Sequence, residues 1–336
     1  PMPSELRRQS DGTFNLDRWP GERSSLVTTW LTSIDARVDG WGVSSGAFLP
    51  LSGAIDVATL PKTPADSLGE TSSVFFVDVT KGSPDYGRRF PLEVSFTTEA
   101  APFRAPNLLA VIPVAGFTRR AKTTYAVVVT DAVKDVGGAA LGRSEAFHAA
   151  LSVTKDANAD AVEALKPLRA WLDETKFDRR RVVGATVFTT IDPMAALTKL
   201  SRWVETLPAP ALEQPFALLE AAPRFDLYAG RYRVPHVQSG PKPGRGRIVW
   251  SADSEVPVQQ GSQSVRLSLS VPKGAMPANG WPLMLYLHGS GGEWHVEEMR
   301  LSWEILDAFR EAAAETGIPK TSDFNRGNNE GCGYFQ

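Results

Sequence analysis

From about Gly40 to Thr130, short apolar, β-branched or aromatic runs alternate with turn residues, and this rhythm restricts the fold more than any other feature. The runs are SVFFVDV (73–79), FPLEVSF (90–96), NLLAVIPV (107–114) and TTYAVVV (123–129); KGSPDYG, APFRAP and GFTRRAK separate them. Strands at this spacing, with hardly any helical periodicity between them, predict an antiparallel β-sandwich.

Helical patterning follows. In ADAVEALKPLRAWLDET (159–175) Val162, Leu165 and Leu172 share one face, and Pro167 is expected to kink or divide the helix. In IDPMAALTKLSRWVETL (191–207) Asp192 can cap, Pro193 suits the first helical position, and Met194, Leu197, Val204 and Leu207 keep the helical period. RVVGATVFTT between them reads as a buried strand. Residues 208–246 are rich in Pro and Gly, with one strand expected around FDLYAGRYRV and a linker at SGPKPGRGR (239–247). RIVW, SVRLSLSV and PLMLYLHG are three further strand-like runs, the last apolar enough to be covered on both faces. MRLSWEILDAFREAAAET is a helix with Leu301, Ile305, Phe309 and Ala312 as its buried stripe, stopped by Gly317 and Pro319. There is no internal repeat.

A chain of 336 residues, 42% hydrophobic and 22% charged, can bury a large core in two or three domains. With 36 Lys and Arg against 38 acids, the net charge of -2 gives no electrostatic case for a nucleic-acid partner or an anionic membrane surface. Arg179, Arg180 and Arg181 read as a solvated face. The single cysteine, Cys332, allows neither an internal disulfide nor a cysteine metal site. His148, His236, His288 and His295 have no i, i+4 pair, so no metal is expected. No stretch of about 18 apolar residues suggests a transmembrane segment. The start, PMPSELRRQSDG, lacks the apolar stretch of an export signal, so the protein is cytoplasmic or its signal precedes Pro1. The last residues, GCGYFQ, end without a polar tail, as at a cut end.

The chemistry-bearing stretch is PLMLYLHGSGG. An apolar strand hands over to His288-Gly289-Ser290-Gly291-Gly292, and a glycine-rich loop there can aim backbone N–H groups at the oxyanion of an acyl-transfer intermediate. A plain turn is the alternative. Together with GAFLPLSGAIDVATLP, NLLAVIPVAGFTRRAKTTYAVVVTDAV, VVGATVFTTIDP and VPKGAMPANGWPLMLYLHGSGG, this makes residues from roughly Asn15 to Gly292 resemble exported bacterial α/β-hydrolases related to extracellular lipases and esterases. The resemblance implies that His288, Gly289, Ser290 and Gly291 line an oxyanion hole, that the intact relative acts on a small-molecule ester, and that the protein is secreted or belongs to the cell envelope.

A nucleophile is harder to find. The one G-x-S-x-G match is Gly42-Val43-Ser44-Ser45-Gly46, and AFLPLSGAIDVATLP behind it has no helical period, so Ser44 reads as a turn residue and not as an elbow serine. Beyond Gly292, His295 is the only histidine and no serine has the elbow setting. A complete triad is therefore not expected in this chain.

From Glu293 onward, WEILDAFREAAAETGIP and DFNRGNNEGCGYFQ resemble a different family, the glucose–methanol–choline flavin oxidoreductases. That resemblance implies an alcohol oxidised by hydride transfer to FAD. The GRG at 244–246 and the glycines at 289–292 lack the spacing of a dinucleotide fingerprint, and no catalytic residue of that family can be transferred; Asn325, Asn328 and Asn329 read as turn residues.

The expected fold class is α+β. A β-sandwich-like module spans 1–150, its helix and strand extension 151–240, the first strands of a truncated α/β-hydrolase core 241–292, and a helix-plus-loop oxidoreductase-like fragment 293–336. The chain reads as a composite joined at Gly292. The functions left open are an incomplete, inactive serine ester hydrolase needing no cofactor, a fragment of an FAD-dependent alcohol oxidoreductase, and a non-catalytic binding module.

Overall fold

The computed structural model describes residues 1–17, 19, 24–34, 38–240, 246–253, 255–281, 304–315, 317, 318 and 320. They divide into two compact units, Pro1–Ala196 and Leu197–Gln336. The first unit contains α1 (Ser25–Ser33), β1 (Ala47–Pro50), β2 (Val74–Asp78), β3 (Arg89–Phe90), β4 (Leu92–Thr97), β5 (Leu108–Pro113), β6 (Thr124–Thr130), α2 (Glu145–Ser152), α3 (Ala159–Ala164), α4 (Lys166–Thr175) and β7 (Val182–Thr189).

All four apolar runs become strands, arranged in two antiparallel sheets of order β3-β2-β6-β7 and β1-β5-β4. The run FPLEVSF serves both. Phe90 pairs with Phe76 of β2, whereas Leu92 pairs with Pro113 of β5. The chain changes sheets at Pro91, which has no N–H to contribute to either ladder and suits a corner.

Alternation along β2 explains why its run is apolar throughout. Val74 and Phe76 join Tyr125, Val127 and Phe188 against Leu49, Leu92, Leu109 and Val111 of the other sheet. Phe75 and Val77 point the opposite way, to Ala150 and Leu151 of α2 and to Leu168, Trp171 and Leu172 of α4. A strand covered on both faces has no position for a polar side chain facing water. Each large apolar side chain enclosed this way contributes about 1.5–3 kcal/mol.

Local signals set the helix ends. Pro167 divides the pattern of 159–175: α3 stops at Ala164, α4 starts at Lys166, and Leu165 is shared as the cap. The Asn158 side chain accepts the Ala161 N–H (2.9 Å) and the Ser144 hydroxyl the Phe147 N–H (3.2 Å). Two helices fall outside the stretches assigned above. SLVTTWLTS, despite its β-branched residues, forms α1, where Thr29 and Thr32 donate back to the carbonyls of Ser25 and Thr28. The short α2, packed against β2, was likewise not evident from periodicity.

α5 (Ala195–Glu205) crosses the division between the units, and Asp192 accepts the Met194 N–H (2.9 Å) in the turn ahead of it, so the helix starts two residues beyond Pro193. The second unit holds β8 (Leu212–Ala221), β9 (Phe225–His236), β10 (Gly261–Pro272) and α6 (Glu304–Glu315). The three strands form an antiparallel sheet of order β10-β9-β8, and β10 pairs with β9 from Gly261↔His236 to Pro272↔Phe225. Val265, Leu267, Leu269 and Val271 are half-buried while Ser264, Arg266, Ser268 and Ser270 between them are exposed. Gly230 has a physical reason: a Cβ there would lie 3.2 Å from the Phe216 ring of β8. The Pro- and Gly-rich reading of 208–246 missed β8, and RIVW makes only the isolated bridges Gln238↔Ile248 and Trp250↔Pro257. The run PLMLYLHG lies outside the described residues. The chain is of mixed α+β class, with several antiparallel sheets and helices.

Candidate functional site

The oxyanion-loop residues His288, Gly289, Ser290 and Gly291 lie outside the described residues, as do His295, Cys332 and the segment Asp323 to Gln336. The other motif with catalytic spelling, Gly42-Val43-Ser44-Ser45-Gly46, is described in full.

That motif is a turn. The Ser45 N–H closes on the Gly42 carbonyl (3.2 Å), Ser44 is exposed, and strand β1 follows. A Cβ at Gly42 would sit 2.4 Å from the Ser45 hydroxyl, which would have to rotate away to admit it. The turn is held from beneath by Arg119, which is 3% exposed. Its Nε donates to the Val43 carbonyl (2.9 Å), and its Nη2 donates to the carbonyls of Gly42 (3.0 Å) and Ser45. The guanidinium also lies 5.2 Å from the Phe76 ring centre and 5.4 Å from that of Phe188. Burial pulls its pKa down to about 10, with Tyr125 opposing, so it stays charged at neutral pH.

The electrostatics of this turn are the reverse of an oxyanion hole. Stabilising a negative oxygen requires N–H groups converging on one point. Here three carbonyls converge on a cation. Of the described histidines, His148 on α2 has Nδ1 3.5 Å from Arg143 Nη1, and His236 ends β9 with Nε2 buried and without a hydrogen-bond partner among the described residues. Neither is hydrogen-bonded to a serine hydroxyl among the described residues.

A second feature is a hollow of about 550 Å³ whose lining includes Lys81, Gly82, Ser83, Arg120, Ala121 and Thr123. It lies between the β2–β3 and β5–β6 connections. The buried Asp78 carboxylate shapes the first of these, accepting the Thr80 N–H (2.8 Å) and the Ser83 hydroxyl (2.5 Å). Asp85 joins the two connections by accepting from Arg120 Nε (2.6 Å) and Arg88 Nη1 (3.1 Å).

Hydrogen bonds from Arg120, then from Arg88, hold the Asp85 carboxyl below the usual carboxylate range. A depressed folded-state pKa contributes stability above the unfolded-state value and loses it as the pH falls through the folded-state value. In Arg120→Gln the Asp85 titration should move up towards the ordinary range while stability at neutral pH falls only slightly, because Arg120 is exposed and Arg88 still donates to the carboxylate. Carboxyl-carbon NMR across an acid titration checks this, and an unmoved midpoint would contradict it.

Among the described residues, no group of three or more His, Cys, Asp and Glu side chains is placed to hold a metal ion. No helix among them is long and apolar enough to cross a membrane. Every described sheet is antiparallel, so these residues do not supply the parallel strand–turn–helix unit on which FAD would rest in a dinucleotide fold. Sequence reasoning singled out neither Arg119 nor the hollow, and no motif marks them. Compared with known proteins, the chain matches no family model, no curated protein and no solved structure.

Proposed function

We propose that this chain is the folded, non-catalytic part of a serine ester hydrolase, with His288, Gly289, Ser290 and Gly291 as its oxyanion loop and no nucleophile of its own. The observation that carries the reading is the state of the Gly42–Gly46 motif. Its serine stands on an exposed turn, its carbonyls are tied to Arg119, and a strand follows where an elbow needs a helix. The hydrolase assignment itself rests on the sequence resemblance and on the glycine-rich stretch behind an apolar run.

In such an enzyme a serine attacks the ester carbonyl, and loop amides stabilise the negative oxygen of the tetrahedral intermediate. This chain would supply the second of these functions only. Its two-sheet unit would pack against, or present substrate to, a catalytic domain carrying the serine, histidine and acid. The alternative drawn from the flavin-oxidoreductase resemblance finds no supporting observation among the described residues.

The purified 336-residue chain should hydrolyse a short-chain aryl ester no faster than buffer, and Ser44→Ala and Ser290→Ala should leave that background unchanged. Saturable turnover abolished by Ser290→Ala would overturn the reading, and turnover abolished by Ser44→Ala would overturn the account of the turn.

A further inference from the structure

We propose that the hollow between residues 80–84 and 120–123 binds a small oxyanion, the carboxylate or phosphate group of a ligand. The argument is an inventory of what its walls have left to offer, and it does not depend on the hydrolase reading.

The hydroxyls are already engaged. Ser83 donates to Asp78 (2.5 Å), Thr123 donates to the Ala121 carbonyl (3.0 Å), and Thr80 both donates to the Thr124 carbonyl (3.1 Å) and accepts the Thr124 N–H (2.6 Å). The nearby carboxylates are engaged too, Asp78 with the Thr80 N–H and Ser83, and Asp85 with Arg88 and Arg120. The side-chain groups that remain are cationic. Lys81 is exposed and has no carboxylate partner among the described residues. Arg120 uses only Nε towards Asp85, leaving both terminal nitrogens of its guanidinium without a hydrogen bond among the described residues.

Backbone groups add to this. Lys81, Gly82 and Ala121 line the hollow, and none of their N–H groups has an acceptor among the described residues. Gly82 has φ +89 and nothing within 4 Å of a would-be Cβ, so a ligand can come close to the backbone there. A wall whose spare charged groups are all cations, with spare N–H donors beside them and no spare carboxylate, is matched by a ligand group that accepts hydrogen bonds and carries negative charge. The Arg179–Arg181 run is different, because Asp173, Asp178 and Asp131 already answer it.

The test uses the full chain, labelled with nitrogen-15, and follows the amide signals of Lys81, Gly82 and Ala121. Sodium phosphate and sodium acetate are added in separate titrations at ionic strength held constant with sodium chloride. Saturating displacement of these signals at about millimolar anion is expected. Lys81→Gln and Arg120→Gln should each weaken it at least tenfold, Lys81→Gln at the parental melting temperature and Arg120→Gln with only the slight loss of stability expected from its ion pair. Preference for phosphate identifies a phosphate-bearing ligand, and equal or stronger response to acetate identifies a carboxylate. Displacement that stays linear, that sodium chloride reproduces, or that neither variant weakens overturns the proposal.

Discussion

Phe76→Ala should lower the unfolding free energy of the first unit by about 4 kcal/mol. The side chain is 1% exposed and sits among Tyr125, Phe90 and Phe188, with ring centres 5.0, 5.7 and 5.9 Å away. Removing it loses the transfer free energy of a large apolar group. It also leaves a cavity that three rings fixed on three different strands cannot collapse to fill. Phe103, 59% exposed, provides the contrast: Phe103→Ala should stay within about 0.5 kcal/mol of the parent. Guanidinium denaturation followed by circular dichroism measures both, and a Phe76→Ala loss below about 1 kcal/mol would refute the packing described.

The second large effect belongs to Arg119→Leu, which should cost about 3 kcal/mol, because three turn carbonyls lose their donor and only part of the turn can turn to water instead. Lysine should recover less than half of this. Its compact ammonium cannot span carbonyls that a planar fork reaches from Nε and Nη2 at once. The same denaturation experiment decides it; a leucine variant as stable as the parent would mean that the turn is held by something else. Since Phe76 lies beneath the guanidinium, the two losses should not add, and a double variant reports their coupling.

Much of the first unit was legible in the sequence because its signals are local. The four apolar runs, the division at Pro167 and the turn at Asp192 each follow from a few adjacent residues. TTYAVVV was legible as a strand, but neither its coverage on both faces nor the helices that provide it were evident. β8 was hidden because it is exposed for nearly all its length and therefore shows no alternation of burial, while Pro215 within it reads as a strand breaker. Arg119 was hidden for another reason. In the sequence it is one of two adjacent arginines in a turn, and its role exists only because folding brings Val43, 76 positions away, against it. The hollow has the same origin, assembled from two connections that the order of strands places side by side. Of the candidate site, the sequence shows the glycine-rich stretch 288–292, which lies outside the described residues; the reversed polarity of the Gly42–Gly46 turn becomes evident only in three dimensions.

Among the described residues β8 closes one side of its sheet and has a strand on its inner side only, so a row of its backbone groups has no strand opposite it there. Such an open row invites another molecule's backbone to dock and continue the ladder. Pro215 contributes no N–H to that row, and the pairing slips between Leu212 and Gln214, again between Gln214 and Ala217, and again between Leu218 and Glu220. A foreign strand laid along this described edge would find its register broken every few residues, so the irregularities that obscured β8 in the sequence also disfavour edge-to-edge pairing through it.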